Sequence, residues 1–337
     1  MERILPVGKL DMALLSSLLG RYTDSGEGVA IGAKVGEDAA VLEFGDRYLV
    51  TKTNPITFST DEIGWYLVNV CVNNMVVRGV RPRWMLNCIL LPEGKTTPEM
   101  VEGIFHQIYE ASRAVDVMVV GGHTEVTHNL DRPIVVGHLI GDAPQDALIA
   151  TGGARVGDAV LITKAVGIEG TSIIAREMEE DLIKKGISEK LIHSAQQFLF
   201  DPGIGVYHEA LAAAETGWVN CMTDATEGGL ATALHEMSEA GEVGVRIDAE
   251  KIPVLPETQE ICLVYGLDPI GLIASGMLIL TASPERVDGL RQRLSALGVA
   301  CAPIGVVTPS DEGRLLVNQS DVSALPYFAV DELTKIL

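Results

Sequence analysis

Between Ala39 and Leu297, strand-length apolar runs alternate with helix-length amphipathic segments, and glycine, proline and Asx residues punctuate the changes. Such alternation predicts a mixed α/β fold. A hairpin is expected across Gly45 and Asp46, with Val41, Tyr48 and Val50 on its strands. Thr60 or Asp61 can cap the helix that follows. Its apolar stripe is Ile63, Leu67, Val70, Cys71 and Val77, and Gly79 with Pro82 stops it. A buried strand over 84–91, a helix over 97–115, a short strand over 118–120 and a further strand over 134–140 complete this half.

A chain of 337 residues exceeds one ordinary hydrophobic core, since domains run to about 100–200 residues. Two domains are expected, 1–150 and 151–337, divided near the small residues Thr151, Gly152, Gly153 and Ala154. The second half begins a new alternation. It predicts a strand over 159–163, helices over 171–185 and 188–200, a third helix after Asp201, Pro202 and Gly203, and a strand ending at Asp224. Gly228 and Gly229 then open a helix to about Glu239, with a strand over 277–281 and a helix over 284–297 beyond it.

The balance of 25 Lys and Arg against 46 Asp and Glu gives a formal charge of −21, which argues against nucleic acid and anionic membranes as partners. An anionic nucleotide is still admitted if a divalent cation accompanies it and backbone N–H groups meet its phosphates. The sequence shows no leader pattern and no run of about 18 apolar residues, so a cytoplasmic location is expected. Five scattered cysteines point to buried thiols in preference to disulfides or a zinc site.

Three segments carry candidate chemistry. Gly36, Glu37 and Asp38 place two carboxylates behind a glycine and before a strand, a pattern able to hold Mg²⁺ or simply to form a solvated turn. Gly121, Gly122, His123 and Thr124 read as a turn at a strand end, where bare backbone could approach a ligand and His123 could hydrogen-bond it. Asp224, Ala225, Thr226, Glu227, Gly228 and Gly229 join a strand end to a helix start, suited to an anion or to ordinary capping. Neither a Walker-type loop nor a strand followed by GxGxxG occurs.

In this order the segments resemble the superfamily of aminoimidazole ribonucleotide (AIR) synthase, hydrogenase maturation factor HypE, thiamine-monophosphate kinase and selenophosphate synthetase. Gly36 to Val41 is similar to its GDDAAV segment, and Asn73 and Asn74 followed by Arg78, Gly79, Val80, Arg81 and Pro82 to its NDxxxxGxxP helix end. Gly121 to Thr124 resembles its GG[DEH]T segment, and Asp224 to Leu230 its D-x-T-x-G-G-L segment. The resemblance implies a two-domain AIR synthase-like α/β fold. Its N-terminal mixed α/β domain would form a homodimeric sheet or barrel, and ATP with Mg²⁺ would lie near the cleft to a C-terminal α/β domain.

It further implies ATP-driven phosphorylation of an amide-type oxygen on an unidentified small-molecule or protein-borne acceptor. Asp38, His123 and Asp224 become the catalytic candidates. ATP contacts fall to Gly36, Glu37, Asp38, Asn54, Asn74, Gly121, Gly122, His123 and Thr124, and metal contacts to Glu37, Asp38, Asp224, Asn54 and Asn74. The sequence departs from the family pattern at Asn54 and Asn74, where relatives carry carboxylates: each keeps a carbonyl oxygen and loses a charge, which weakens Mg²⁺ binding. Glu125 replaces a frequent HypE lysine, and the chain ends in Thr334, Lys335, Ile336 and Leu337 in place of the reactive terminal cysteine of HypE. A nucleotide-binding maturation-complex protein without turnover is therefore the alternative.

Overall fold

The computed structural model describes residues 5, 10, 12–24, 26–33, 39–57, 61–145 and 147–337. Helix α1 (Met12–Tyr22) and strand β1 (Val29–Ile31) precede the expected hairpin, which forms from β2 (Ala40–Phe44) and β3 (Arg47–Ile56) about Gly45 and Asp46. Then come α2 (Ile63–Val76), β4 (Arg81–Pro92), α3 (Pro98–Ala114), β5 (Met118–Thr127) and β6 (Ile134–Pro144). Their sheet has the order β1-β2-β3-β6-β4-β5, antiparallel except where β5 runs parallel to β4. Thr97 caps α3 as expected, accepting a hydrogen bond from Met100 N.

Ten strand residues, Met118–Thr127, stand where the sequence suggested three and a turn. The reason is close packing within a sheet. Val120 bulges out of register between the pairs Met85–Val119 and Leu86–Gly121, and Gly122 follows with φ 156°. A Cβ on Gly122 would lie 2.0 Å from the Asn87 carbonyl oxygen, so only glycine lets the strands approach here.

The second half supplies β7 (Ala159–Thr163), α4 (Ile168–Glu177), α5 (Glu179–Lys184), α6 (Glu189–Gln196), α7 (Tyr207–Ala214), β8 (Val219–Asp224), α8 (Gly229–Ala240), β9 (Gly244–Asp248) and α9 (Pro256–Tyr265). After them come β10 (Leu278–Ala282), α10 (Val287–Ser295), β11 (Cys301–Thr308), β12 (Arg314–Asn318) and β13 (Asp321–Ala324). Seven strands make one sheet in the order β13-β12-β9-β11-β7-β10-β8, with β9 and β12 parallel. The helix expected over 171–185 is two, because the chain breaks at Met178 between α4 and α5.

Helix α2 is buried on every side, with Ile63, Leu67, Val68, Cys71, Val72, Met75 and Val76 all at 1% exposure or less, so the single apolar stripe is superseded. It lies between the halves. One apolar cluster runs from Val50, Met85 and Leu139 through α2 to Leu161, Val206, Met222 and Leu280. The buried polar side chains of α2 must therefore find partners on both sides.

Candidate functional site

Asn74, near the end of α2, is 5% exposed, and its Nδ2 donates to both oxygens of Asp224, at 3.1 and 3.4 Å. Asp224 ends β8 and is 7% exposed. Two candidates 150 positions apart thus meet where the halves join. The chemistry of the pair is specific. Two carboxylates at this spacing would repel unless a cation lay between them, whereas an amide N–H meets the Asp224 charge directly.

Asn54 is half-buried on β3, and its backbone hydrogen-bonds the Cys71 thiol of α2, although burial dominates and pushes that thiol up to about 12. Gly36, Glu37 and Asp38 lie outside the described residues. Among the described residues no three histidine, cysteine, aspartate or glutamate side chains converge to hold a metal ion. The described part of the site therefore does not fit Mg²⁺ by itself. It offers one carboxylate, already engaged by an amide, and any fuller shell needs Glu37 and Asp38.

Gly121, Gly122, His123 and Thr124 sit inside β5, on the sheet and not at a turn. A pocket of about 410 Å³ opens there, lined by Thr53, Leu86, Asn87, Cys88, Gly122, His123, Val136 and His138. His138 is held between Thr51 Oγ1 (3.0 Å) and Thr53 Oγ1 (2.7 Å), and exposed His123 pairs with Glu125 at 3.1 Å. The side-chain oxygen of Asn87, a residue of the pocket wall, is buried and has no hydrogen-bond partner among the described residues. Asn74 and Asp224 do not line this pocket. His123 and Asp224 thus belong to different surroundings.

The glycine turn after Asp224, open in the sequence between an anion site and ordinary capping, is capped from within the chain. Gly228 N donates to Asp331 Oδ2 at 2.6 Å, so a carboxylate of the same chain already fills the N-terminal end of that helix. Burial raises the pKa of Asp331, against hydrogen bonds from Leu333, Gly228 and Ile273 that lower it. Glu169, fully buried on α4, accepts from Ser275 N at 3.1 Å, and burial pushes its carboxyl up to about 7. Sequence inspection missed Asp331 and Glu169. Asp331 lies 103 positions from the turn that it caps, and Glu169 looks like any acid in a first helical turn.

Fold and site together define a two-domain α/β protein with a polar site between its halves. The N-terminal domain of AIR synthase related protein matches residues 36–143, and the C-terminal domain of that family matches residues 155–318. The chain belongs to the AIR synthase-related family. A putative hydrogenase expression/formation protein of Methanocaldococcus jannaschii is 28% identical over 296 residues, covering 85% of this chain and 84% of the relative. The carbamoyl dehydratase HypE of Rhodobacter capsulatus is 30% identical over 251 residues, 74% of this chain and 69% of that protein. A solved hydrogenase maturation protein HypE in complex with ATP superposes with a TM-score of 0.67 at 22% identity, over 94% of this chain and 91% of the other.

Proposed function

We propose that this protein binds ATP between its halves and uses it to phosphorylate an amide-type oxygen, the first step in removing that oxygen as phosphate. The kinship to carbamoyl dehydratases and the fold shared with an ATP-bound HypE support this reading. The observation that carries it is the contact of Asn74 with Asp224 across the halves, which joins a residue that the family resemblance assigns to the nucleotide to one that it assigns to catalysis and metal. In the proposed reaction the amide oxygen attacks the γ-phosphorus, an O–P bond forms and ADP leaves. Phosphate then departs with the former amide oxygen, and as that C–O bond breaks the nitrogen gives up its two protons and the carbon–nitrogen bond becomes triple. Catalysis of this kind rests on positioning and on offsetting phosphate charge.

Calorimetric titration of the full chain with ATP, with and without Mg²⁺, tests the reading. Wild type is expected to bind and D224A to bind at least about tenfold more weakly, a loss of about 1.4 kcal/mol. Equal affinity in both proteins would overturn it. The protein is read as a homodimer built through β5, an edge strand whose Met118, Val119, Val120 and Val126 are 59%, 43%, 55% and 55% exposed. Light scattering at two concentrations checks that reading.

Asn74 also favours a second reading, nucleotide binding without turnover. Its amide N–H stands where a bridging cation would be needed between two carboxylates. The N74D variant separates the two. Its melting temperature is expected to become Mg²⁺-dependent while that of wild type is not, and ATP hydrolysis gained only by N54D/N74D would favour a site without native turnover.

A further inference from the structure

Next to Asn74 on α2 stands Asn73, at 0% exposure, and its amide is spent entirely on the second half of the chain. Nδ2 donates to the Ile204 carbonyl at 2.8 Å, and Oδ1 accepts from Val206 N at 2.8 Å. The short segment from Gly203 to Val206 is gripped by a second side chain as well. Lys164, which directly follows β7, has a side chain only 8% exposed and donates through Nζ to Gly203 O at 3.1 Å and Gly205 O at 2.6 Å. The same ammonium pairs with buried Glu209 of α7 at 2.9 Å. Four backbone groups in four residues are thus held by two buried side chains, one from each half of the molecule.

Asn73 precedes Asn74 on α2 and Lys164 holds the segment that Asn73 grips, so both bear on what the Asn74–Asp224 pair depends on. Asn74 rides on α2 and Asp224 on β8, so their 3.1 Å contact exists only while α2 keeps its place against the second half. An amide hydrogen bond is lost within a few tenths of an ångström beyond its normal range. Apolar packing around α2 resists separation but is non-directional, and it tolerates sliding along the helix axis. The two hydrogen bonds of Asn73 are directional and lie one residue from the site, so they fix the register of α2 that packing leaves soft.

We infer that Asn73, clamped to the Gly203–Val206 segment that Lys164 also holds, is the positioning residue that sets the distance between Asn74 and Asp224 and so the affinity for the nucleotide. This inference rests on the proposed function for its ligand, and on geometry alone for its mechanics. The variants are N73A, N74A, N73A/N74A and N73D, the last keeping the acceptor for Val206 N–H while losing the donor to Ile204 O. ATP affinity is expected to fall roughly tenfold in N73A and in N74A, and at least as far in N73D, whose buried carboxyl oxygen would face the Ile204 carbonyl oxygen. The double variant should be no weaker than N74A alone to within about twofold, because both changes remove one contact.

A second measurement does not use the ligand. Nitroxide labels on exposed Phe105 of α3 and exposed Leu263 of α9, each changed to cysteine in a background with Cys88 and Cys301 replaced by serine, report the distance between halves by pulsed electron resonance. N73A should broaden or shift that distribution, and K164M should do the same by releasing the same segment. If wild type binds no ATP, the functional reading fails while the label distances still decide the positioning role. An unchanged distance distribution in N73A and K164M, or affinity losses that multiply in the double variant, overturns the inference. Should N73A not fold, K164M carries both measurements.

Discussion

Two glycine pairs look alike in the sequence and do opposite things in the structure. Gly121 and Gly122 lie in the middle of β5, where the second of them lets a neighbouring strand come so close that no Cβ fits. Gly228 and Gly229 form a left-handed turn, φ 78° and 61°, that releases β8 into α8 and is closed by Asp331 from the far end of the chain. The difference teaches that a double glycine signals close backbone approach, and only tertiary contacts decide whether the chain turns.

The largest expected effect breaks that comparison at its first member. G122A places a methyl 2.0 Å from Asn87 O and 2.8 Å from Asn87 N, so β5 must leave its partner. A loss of more than about 3 kcal/mol is expected, enough to leave the first half poorly folded. G121A is the control, since the nearest atom to its Cβ is Leu86 Cδ2 at 4.0 Å. It should change stability by less than about 0.5 kcal/mol in a denaturant titration. Equal losses in the two variants would refute the bulged register of β4 and β5.

Helices α2 and α3 and most strands were legible because local rules decide them: Thr97 and Pro98 start α3, and Gly45 with Asp46 turns the hairpin of β2 and β3. The site was legible only in part. Asn74 and Asp224 could be named from their segments, but their meeting depends on α2 lying between two halves of one core, a fact of packing over 150 positions. His123 was placed at a turn because a glycine pair preceded it, whereas the ladder with β4 keeps it in a strand. Asp331 had no local signal at all, as its partner Gly228 lies 103 positions earlier.

At the second glycine pair, D331A tests whether closure by a distant carboxylate matters. It strands the buried Gly228 N–H and removes the anion from the start of α8, and a loss of about 2 kcal/mol is expected in thermal or chemical unfolding. A change below about 0.5 kcal/mol would show the turn to be self-sufficient. Glu169, whose charged form is disfavoured first by burial and then by the nearby Glu227 and Asp331, gives a pH signature at the same place. Its folded pKa of about 7 exceeds the ordinary carboxylate value of 4.5, so the native state holds the proton between these values. Stability therefore falls as pH rises through that window and levels off above it. E169Q should stabilise the protein by roughly 2 kcal/mol at pH 8 relative to wild type, with the advantage gone near pH 4.5.

The smallest expected effect concerns His123, which sits just past the first glycine pair and faces the open pocket with His138. Its pairing with Glu125 is exposed at 66% and 48%, so solvent screens it and the pair adds little to stability. H123A should shift the free energy of unfolding by less than about 0.5 kcal/mol. That insensitivity makes it the cleanest probe of the strand that holds it. If the pocket of about 410 Å³ forms part of the nucleotide site, H123A weakens ATP binding while the melting temperature stays fixed. If both stay fixed, the bulge at Val120 and the close approach at Gly122 serve the sheet alone, and nucleotide contacts concentrate at Asn74 and Asp224.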